Sequence, residues 1–166
     1  ALRQAEGLPL AFPGGVDRAM EAVDARLVGD ACLWAAANAC AAGETYNLTN
    51  GEVFSWRDMW PAIAQTLGVP LGEDEPLSVA EYVLQREDLW QVIVARHDLV
   101  PNTLEQIVGE SHHYADLCFA FGANDAPPPI FVSTVKIHQA GFNQTYNSEE
   151  SFCYWLRDLR YRRIIP

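Results

Sequence analysis

Helical periodicity of the apolar residues is the feature that most constrains how this chain folds. Segment 23–43 repeats apolar residues three and four positions apart, and Asp24 stands where a first helical turn needs a cap. Because this segment is apolar almost all round, we expect its helix to be deeply buried. A second stripe covers 55–68 and ends at Gly68, and it contains Pro61, which we expect to kink or divide the helix.

Three capping boxes mark further helix starts. In each, a side chain that can accept from the first turn is followed three residues later by Glu or Gln. The pairs are Ser78 with Glu81, Thr103 with Gln106, and Asn147 with Glu150. The first pair predicts one helix over 78–97, and the last predicts a C-terminal helix. Apolar spacing predicts two more helices, one over 114–121 and a short one that contains Lys136 and ends at Gly141.

Strand signals are weak in this chain. The best candidates are the short segments 9–12 and 45–49, with 130–131 as a weaker third. Two or three short strands beside many helices predict a mostly helical α+β fold. We interpret 1–166 as a single unit whose strands belong to a sheet that begins elsewhere.

Charge and composition limit the possible partners. The chain has 166 residues, of which 49% are hydrophobic, and this composition suits one packed domain. A net charge of −11 disfavours binding to nucleic acid or to an anionic membrane. The sequence contains no run of 18 apolar residues, so we predict no membrane span. Four cysteines without a C-x-x-C pattern indicate reduced core residues, as in a cytoplasmic protein.

Motifs for cofactors and for nucleophilic or metal catalysis are absent from the sequence. The glycines form neither G-x-G-x-x-G nor a P-loop, and neither G-x-S-x-G nor H-E-x-x-H occurs. His112 and His113, with Asp116 three residues further, make a weak metal candidate that lacks a further ligand. Adjacent histidines more often pack or line a pocket. We therefore predict no catalytic, cofactor-binding or metal residue in this chain.

Lys136 is the only lysine of the chain, which raises the question of whether it is catalytic. In one large reductase superfamily, a tyrosine four residues before a lysine forms the catalytic pair. Position 132 is Val132, and no tyrosine of this chain is followed by lysine four residues later. A lysine lowers the pKa of a tyrosine only when the two lie close together. We therefore predict a structural or surface role for Lys136.

Several stretches resemble one family in order and spacing. The block "TYNLTNGEVFSWRDMWPAIAQTLG" (45–68) resembles a segment of the atypical extended short-chain dehydrogenases/reductases (SDRs) related to progesterone 5β-reductase and iridoid synthase. "LPLAFPGG" (8–15), "VDARLVGDACLWAA" (23–36) and "TVKIHQAGF" (134–142) resemble other parts of that family. The stretch "SHHYADL" departs from the bulky aromatic residues that the family favours there.

The resemblance implies that 1–166 is the C-terminal substrate-binding lobe of a Rossmann-type protein. In the family, the NADPH loop and the catalytic Tyr and Lys lie in the N-terminal half, which this chain does not resemble. We therefore expect a fragment that is inactive alone. The longer parent would be an NADPH-dependent oxidoreductase acting on a small apolar enone or other carbonyl compound.

The resemblance also nominates substrate-binding residues. Aligned residue by residue, the aromatic pocket positions of the family fall on His113 and Tyr114. Leu117 and Phe121, one turn further on, share the face of Tyr114 and are weaker candidates. The alternative is that Tyr114, Leu117 and Phe121 are core residues.

Two further expectations concern partners. The chain has an alternative interpretation as a stand-alone helical module that binds an apolar ligand or a protein. We also expect a homodimer or larger assembly, because the helices at 24–41 and 55–67 carry more apolar surface than this chain can cover. The strand at 45–49 likewise needs neighbours for its backbone groups.

Overall fold

The computed structural model describes residues 1–126 and 128–166, and most of its regular structure is helical. The helices, in chain order, are α1 (Leu2–Ala5), α2 (Ala25–Ala37), α3 (Trp56–Leu67), α4 (Val79–Leu84), α5 (Glu87–His97), α6 (Leu104–Val108), α7 (His112–Cys118), α8 (Val135–Gln139) and α9 (Ser148–Tyr161). The strands β1 (Ala19–Glu21) and β2 (Val53–Ser55) pair antiparallel, with Met20 opposite Phe54. This is a mostly helical α+β arrangement, as the sequence predicts.

The predicted strand positions are wrong. Within 9–12, Leu10 makes an isolated parallel bridge with Leu71, and neither 45–49 nor 130–131 lies in a strand of the described residues. Both observed strands fall outside the three predicted segments. β-propensity shows which segments can adopt an extended backbone. A strand also requires a neighbouring backbone to pair with, and tertiary contacts decide whether one is present.

Helix caps follow the sequence closely. The Ser55 side chain accepts from the N–H of Asp58 at 3.1 Å, and α3 ends at Gly68 in the left-handed region with φ 68°. Thr103 and Gln106 form the predicted capping box at the start of α6. Pro61 lies inside α3, and the helix continues through it, so of the two expected effects the division of the helix is wrong.

The single helix predicted over 78–97 is two helices. α4 and α5 are separated at Arg86, whose backbone leaves the helical region with φ −123° and ψ 26°. The Arg86 guanidinium lies 3.6 Å from the centre of the Tyr82 ring and 2.9 Å from a carboxylate oxygen of Glu6. The break therefore coincides with a contact to the N-terminal segment, which local periodicity does not reveal.

Burial of α2 differs from the expectation. Leu27 is fully buried, but Leu33 is 72% exposed and Val28 is 41% exposed. The helix packs one side against α8 and Phe142, and nothing in the described residues covers the other side. Cys32 and Cys40 are exposed as well, so the prediction that the cysteines are core residues is wrong for these two.

Two apolar clusters make up the interior. The first is built by α5 and α6 and contains Trp90, Ile93, Val94, Leu99 and Leu104. The second contains Leu27, Ile137 and Phe142. Aromatic rings also pack edge to face around Phe119, which lies 5.3 Å from Trp56 and 5.5 Å from Trp60 between ring centres.

A buried polar network joins the start of α2 to α9. Asp24 is 4% exposed and accepts from the backbone N–H and the guanidinium of Arg26, each at 2.7 Å. The Ser151 hydroxyl and the Trp155 indole N–H, both on α9, donate to the same carboxylate. Hydrogen bonds from Arg26 in particular, and from Ser151, hold the pKa of Asp24 well below its usual range.

We predict that Asp24→Asn lowers the free energy of unfolding by about 3 kcal/mol at pH 7, because it leaves the donors around a buried carboxylate without their charged acceptor. The folded-state pKa of Asp24 lies below the unfolded one, so its contribution is complete above about pH 4 and is lost as the pH falls. Urea unfolding followed by tryptophan fluorescence measures both effects. The difference between wild type and variant should shrink by about 1.4 kcal/mol for each pH unit below about 4.

Asp17→Asn is the matched control for this prediction, since Asp17 is exposed. It should change the free energy of unfolding by less than about 0.5 kcal/mol at either pH. A difference between Asp24→Asn and wild type that is the same at pH 7 and pH 3 would contradict the assignment.

Candidate functional site

Helix α7, which carries three of the four predicted site residues, is fixed by a carboxylate at its centre. Asp116 accepts from the Ser78 hydroxyl at 2.6 Å and from the backbone N–H of Val79 at 2.7 Å. Asp116 thereby satisfies donors in the first turn of α4, which have no partner inside their own helix. The sequence predicts the Ser78 cap, but a carboxylate 38 residues away leaves no local signal.

A glycine pair holds the C-terminal end of α7. A Cβ atom added at Gly14 would lie 2.3 Å from the carbonyl oxygen of Phe119, and one at Gly15 would lie 2.3 Å from that of Ala120. The close approach lets the Gly15 N–H donate to the Phe119 oxygen at 3.0 Å. The stretch "LPLAFPGG" therefore ends in two glycines because the turn after α7 packs directly on its backbone.

The predicted site residues lie on the surface of this chain. Tyr114 is 64% exposed, Leu117 is 65% exposed and Phe121 is 39% exposed. These three residues therefore do not lie in the core of the described part of this chain. His113 is exposed beside them, and Tyr114 and Leu117 are neighbours three residues apart on one helix face. The end of α7 thus presents apolar side chains that no described residue covers.

The suggested metal site is not assembled. His113 Nε2 lies 3.0 Å from a carboxylate oxygen of Glu110, and the His112 and His113 rings are 3.9 Å apart. Asp116 faces α4, as described above, and does not complete a ligand set with them. Across residues 1–126 and 128–166, no group of three His, Cys, Asp or Glu side chains is arranged to hold a metal ion.

Lys136 occupies a surface position on α8, and its predicted structural or surface role stays a prediction. Its Nζ lies 2.7 Å from a carboxylate oxygen of Glu44 and donates to the carbonyl of Thr45 at 2.9 Å. The Tyr46 ring centre is 5.1 Å from the ammonium. The side chains of Lys136 and Glu44 are 57% and 46% exposed, so water weakens their attraction.

A cavity of about 400 Å³ lies between α1, α3, α4, α5 and α6. Its walls are almost entirely apolar and include Trp60, Val83, Trp90, Leu104 and Phe119. Volume and lining fall within the range of small-molecule pockets. None of His113, Tyr114, Leu117 and Phe121 lines this cavity, so the structure separates it from the residues that the family resemblance nominates.

A shallow and largely apolar surface, which we call the α2 face, runs from β1 to α2. It consists of two depressions of about 310 Å³ each, which share Val23 and Leu48. The first depression continues to Ile130 and Val132, and the second continues to α2. Their remaining lining residues are Arg18, Ala19, Met20, Glu21, Ala22 and Thr49 in the first, and Val28, Ala31, Cys32, Trp34, Ala35, Tyr46 and Ile137 in the second.

The α2 face extends towards α7. The Arg18 guanidinium, which lines the first depression, donates to the carbonyl of Leu117 at 3.1 Å. The exposed end of α7 and the α2 face therefore meet at Arg18. Sequence analysis missed this link, because Arg18 lies in an irregular segment and its partner is distant in sequence.

No helix in the described part of the chain is both long and apolar enough to cross a membrane.

We predict that Lys136→Met changes the free energy of unfolding by less than about 0.5 kcal/mol, since it removes an exposed ion pair and keeps the length of the side chain. Chemical unfolding of the two proteins measures this difference. In a longer catalytically active protein that contains this chain, the same substitution should lower kcat by less than about 100-fold. A larger loss would show that Lys136 takes part in catalysis.

Comparison with known proteins finds relatives along the whole chain. No family model matches it. It is 29% identical to (S)-8-oxocitronellyl enol synthase of Camptotheca acuminata over 97% of its length, and 30% identical to the enzyme of that name from Catharanthus roseus over 97%. It is also 27% identical to 3-oxo-Delta(4,5)-steroid 5-beta-reductase of Arabidopsis thaliana over 100%.

The chain spans less than half of these relatives. It covers 42% of the Camptotheca enzyme, 41% of the Catharanthus enzyme and 42% of the Arabidopsis enzyme. More than half of each relative therefore has no counterpart in the 166 residues of this sequence.

Proposed function

Because the chain matches the C-terminal part of the family of (S)-8-oxocitronellyl enol synthases and 3-oxo-Delta(4,5)-steroid 5-beta-reductase, we propose that it is the substrate-binding part of an NADPH-dependent short-chain reductase. The substrate is a small apolar molecule with an enone or related carbonyl group. The domain proposed to bind NADPH and to carry the catalytic residues is a Rossmann-type domain outside this chain.

One observation carries this proposal beyond similarity. Tyr114, Leu117 and Phe121 are exposed at the end of α7 and just after it. Hydrogen bonds from the Val79 N–H to the Asp116 carboxylate and from the Gly15 N–H to the Phe119 carbonyl hold this part of the chain in place. Holding such apolar side chains in water loses the free energy that their burial would provide. Their placement is reasonable if an apolar substrate and a second domain cover them.

We assign to this chain the binding of the substrate and the exclusion of water from it. Tyr114, Leu117 and Phe121 supply apolar contacts, while the His113 imidazole and the Tyr114 hydroxyl supply polar groups beside them. That mixture matches a substrate with an apolar skeleton and one or two carbonyl oxygens. NADPH would supply the hydride to the substrate, and no residue of this chain is assigned a part in that transfer.

We propose a cytoplasmic location for the protein. All four cysteines are free, and Cys32 and Cys40 are exposed, a state that a reducing compartment preserves.

The cavity of about 400 Å³ favours a second candidate function. A stand-alone module would bind an apolar ligand between α4, α5 and α6, without any redox chemistry. The two candidates use different residues, so variants of α7 and of the cavity wall separate them.

We predict that the 166-residue chain has no reductase activity and no NADPH affinity in the low micromolar range, since it contains neither a phosphate-binding loop nor a catalytic Tyr–Lys pair. Titration of NADPH, followed by its fluorescence, measures the affinity. Low micromolar binding would contradict the assignment of cofactor binding to another domain.

We predict that His113→Ala and Tyr114→Ala each raise the KM for the carbonyl substrate by about tenfold, which is the loss of about 1.4 kcal/mol of binding. A suitable protein is the Catharanthus enzyme with its matching region replaced by this chain. The KM for NADPH should stay within about twofold, because the other domain holds the cofactor. Steady-state kinetics with each substrate varied in turn measures both constants.

His97→Ala and Tyr161→Ala are matched controls for these two variants, because both residues are exposed at helix ends away from α7. Neither should change either KM. If His113→Ala and Tyr114→Ala lowered the melting temperature while leaving the kinetics intact, the two residues would be structural and the proposed substrate site would be wrong.

A further inference from the structure

We infer that Asp116 is a positioning residue for the proposed substrate site, because its carboxylate holds the part of α7 that carries His113 and Tyr114. The inference rests on the proposed function and deepens it, since it names a residue that acts through α7 and not by contact with the substrate. Removal of this carboxylate should weaken substrate binding through local opening of one helix, without unfolding the chain.

Helix α7 has little apolar burial of its own. None of its seven residues is buried in the part of the chain that the structure describes. Its first turn has no side-chain cap there, since the Ser111 hydroxyl donates backwards to the Val108 carbonyl at 2.5 Å. Isolated helices of this length are unstable in water. Contacts with other segments must therefore keep α7 helical.

The C-terminal end of α7 has an anchor just beyond the helix. The Phe119 ring packs edge to face against two tryptophans of α3, and Ala120 is buried. The Gly15 N–H donates to the Phe119 carbonyl at 3.0 Å. These contacts fix where the helix ends, but His113 and Tyr114 lie more than one turn before Phe119. The first half of α7 therefore needs a contact of its own.

Asp116 supplies this contact by joining the middle of α7 to α4. Its carboxylate accepts from the Ser78 hydroxyl at 2.6 Å and from the Val79 N–H at 2.7 Å. Hydrogen bonds to a charged acceptor are about twice as strong as those between neutral groups. No residue of α4 is buried within the described ranges either, so apolar burial between the two helices is incomplete. The carboxylate is therefore the strongest polar contact between them.

Helix α4 is itself fixed, so α7 is tied to a part of the fold that has its own support. The Leu77 N–H, just before the helix, donates to the Pro13 carbonyl at 3.0 Å. Near its other end, the Tyr82 hydroxyl donates to the Glu6 carboxylate. Both contacts join α4 to the N-terminal segment. Loss of the Asp116 carboxylate should therefore release the first half of α7 while α4 keeps its place.

Arg18 makes a weaker contact with the same helix. Its guanidinium donates to the Leu117 carbonyl at 3.1 Å, but this bond lies at an exposed position. Water competes there for both groups, and the net contribution of such a bond is small. We therefore expect Arg18→Ala to have a smaller effect on α7 than Asp116→Ala.

Hydrogen exchange of the 166-residue chain tests whether Asp116 holds α7. The amides of residues 117–119 donate to the carbonyls of 113–115, so their protection factors report on the first half of the helix. Asp116→Ala should lower these protection factors by at least about tenfold. Asp116→Asn keeps an oxygen acceptor without the charge and should lower them less. The Leu99 amide, which belongs to the core cluster of α5 and α6, should change by less than about threefold.

Steady-state kinetics tests the consequence for the site. The protein is again the Catharanthus enzyme with its matching region replaced by this chain. Asp116→Ala should raise the KM for the carbonyl substrate by about tenfold and leave the KM for NADPH within about twofold. Since Asp116 acts through α7, its effect should overlap with that of Tyr114→Ala. The double variant should therefore raise the substrate KM by clearly less than the product of the two single effects, about a hundredfold.

Asp88→Ala is the matched control, because Asp88 is a helical aspartate that is exposed in the first turn of α5. It should change neither the protection of residues 117–119 nor either KM. In both measurements, Asp116→Asn should lie between the wild type and Asp116→Ala.

Two results of hydrogen exchange would overturn the inference. Unchanged protection of residues 117–119 in Asp116→Ala would mean that other contacts hold α7. An equal loss of protection at Leu99 would mean that Asp116 supports the whole fold and has no special role at the site.

The kinetic results separate this inference from the proposed function. A raised substrate KM in Tyr114→Ala beside an unchanged KM in Asp116→Ala would refute the positioning role and leave the proposed function intact. If Tyr114→Ala and His113→Ala themselves left the substrate KM unchanged, the proposed substrate site would be wrong. The positioning role would then fail with it, whatever the protection factors of α7 show.

Discussion

The carboxylate of Asp24 is the interaction on which the arrangement of this chain depends. It caps α2, binds the Arg26 guanidinium and accepts from two residues of α9, which is more than one hundred residues away in sequence. The backbone N–H of Asp24 donates to the side-chain oxygen of Asn50 at 2.7 Å, and the side-chain amide of Asn50 donates to the Ser148 hydroxyl at 3.0 Å. One buried charge thus fixes where three distant segments meet. Because a buried charge is costly without partners, alternative arrangements that separate these segments are disfavoured.

The two candidate surfaces follow from this arrangement. Since α2 is fixed at its first turn by Asp24 and along one side by Leu27, the opposite side of the helix stays uncovered. At the far end of the same surface, the Gly14–Gly15 turn and Asp116 hold α7 so that Tyr114 and Leu117 stay in solvent. The polar contacts therefore hold α2 and α7 in place, and apolar side chains of both helices remain exposed at the surface.

Much of the local structure was predictable from sequence, and the reasons are physical. Caps at Asp24, Ser55 and Thr103 depend on a side chain and a backbone N–H within three residues, so a short window contains the whole interaction. Strands depend on a partner that is distant in sequence, and β-propensity marked 45–49, which lies in no strand of the described residues. Burial of α2 was overestimated because the pattern shows which residues are apolar but not whether another element covers them.

The candidate site was predictable only through family resemblance. Nothing in the periodicity of 112–121 distinguishes a core helix from one whose apolar side is exposed, and Tyr114 and Leu117 fit both interpretations. The role of Asp116 was beyond sequence analysis, since its partners Ser78 and Val79 lie in another helix. Arg18 was missed for the same reason, because its partner is a backbone carbonyl on α7.

The solitary lysine has a practical consequence for chemical labelling. Apart from the amino group at residue 1, Lys136 is the only primary amine in the sequence, and its side chain is 57% exposed. Its Nζ donates a hydrogen bond to the carbonyl of Thr45. An amine-reactive fluorophore would therefore attach beside segment 45–49, and its emission would report on whether that part of the surface is open to water or covered.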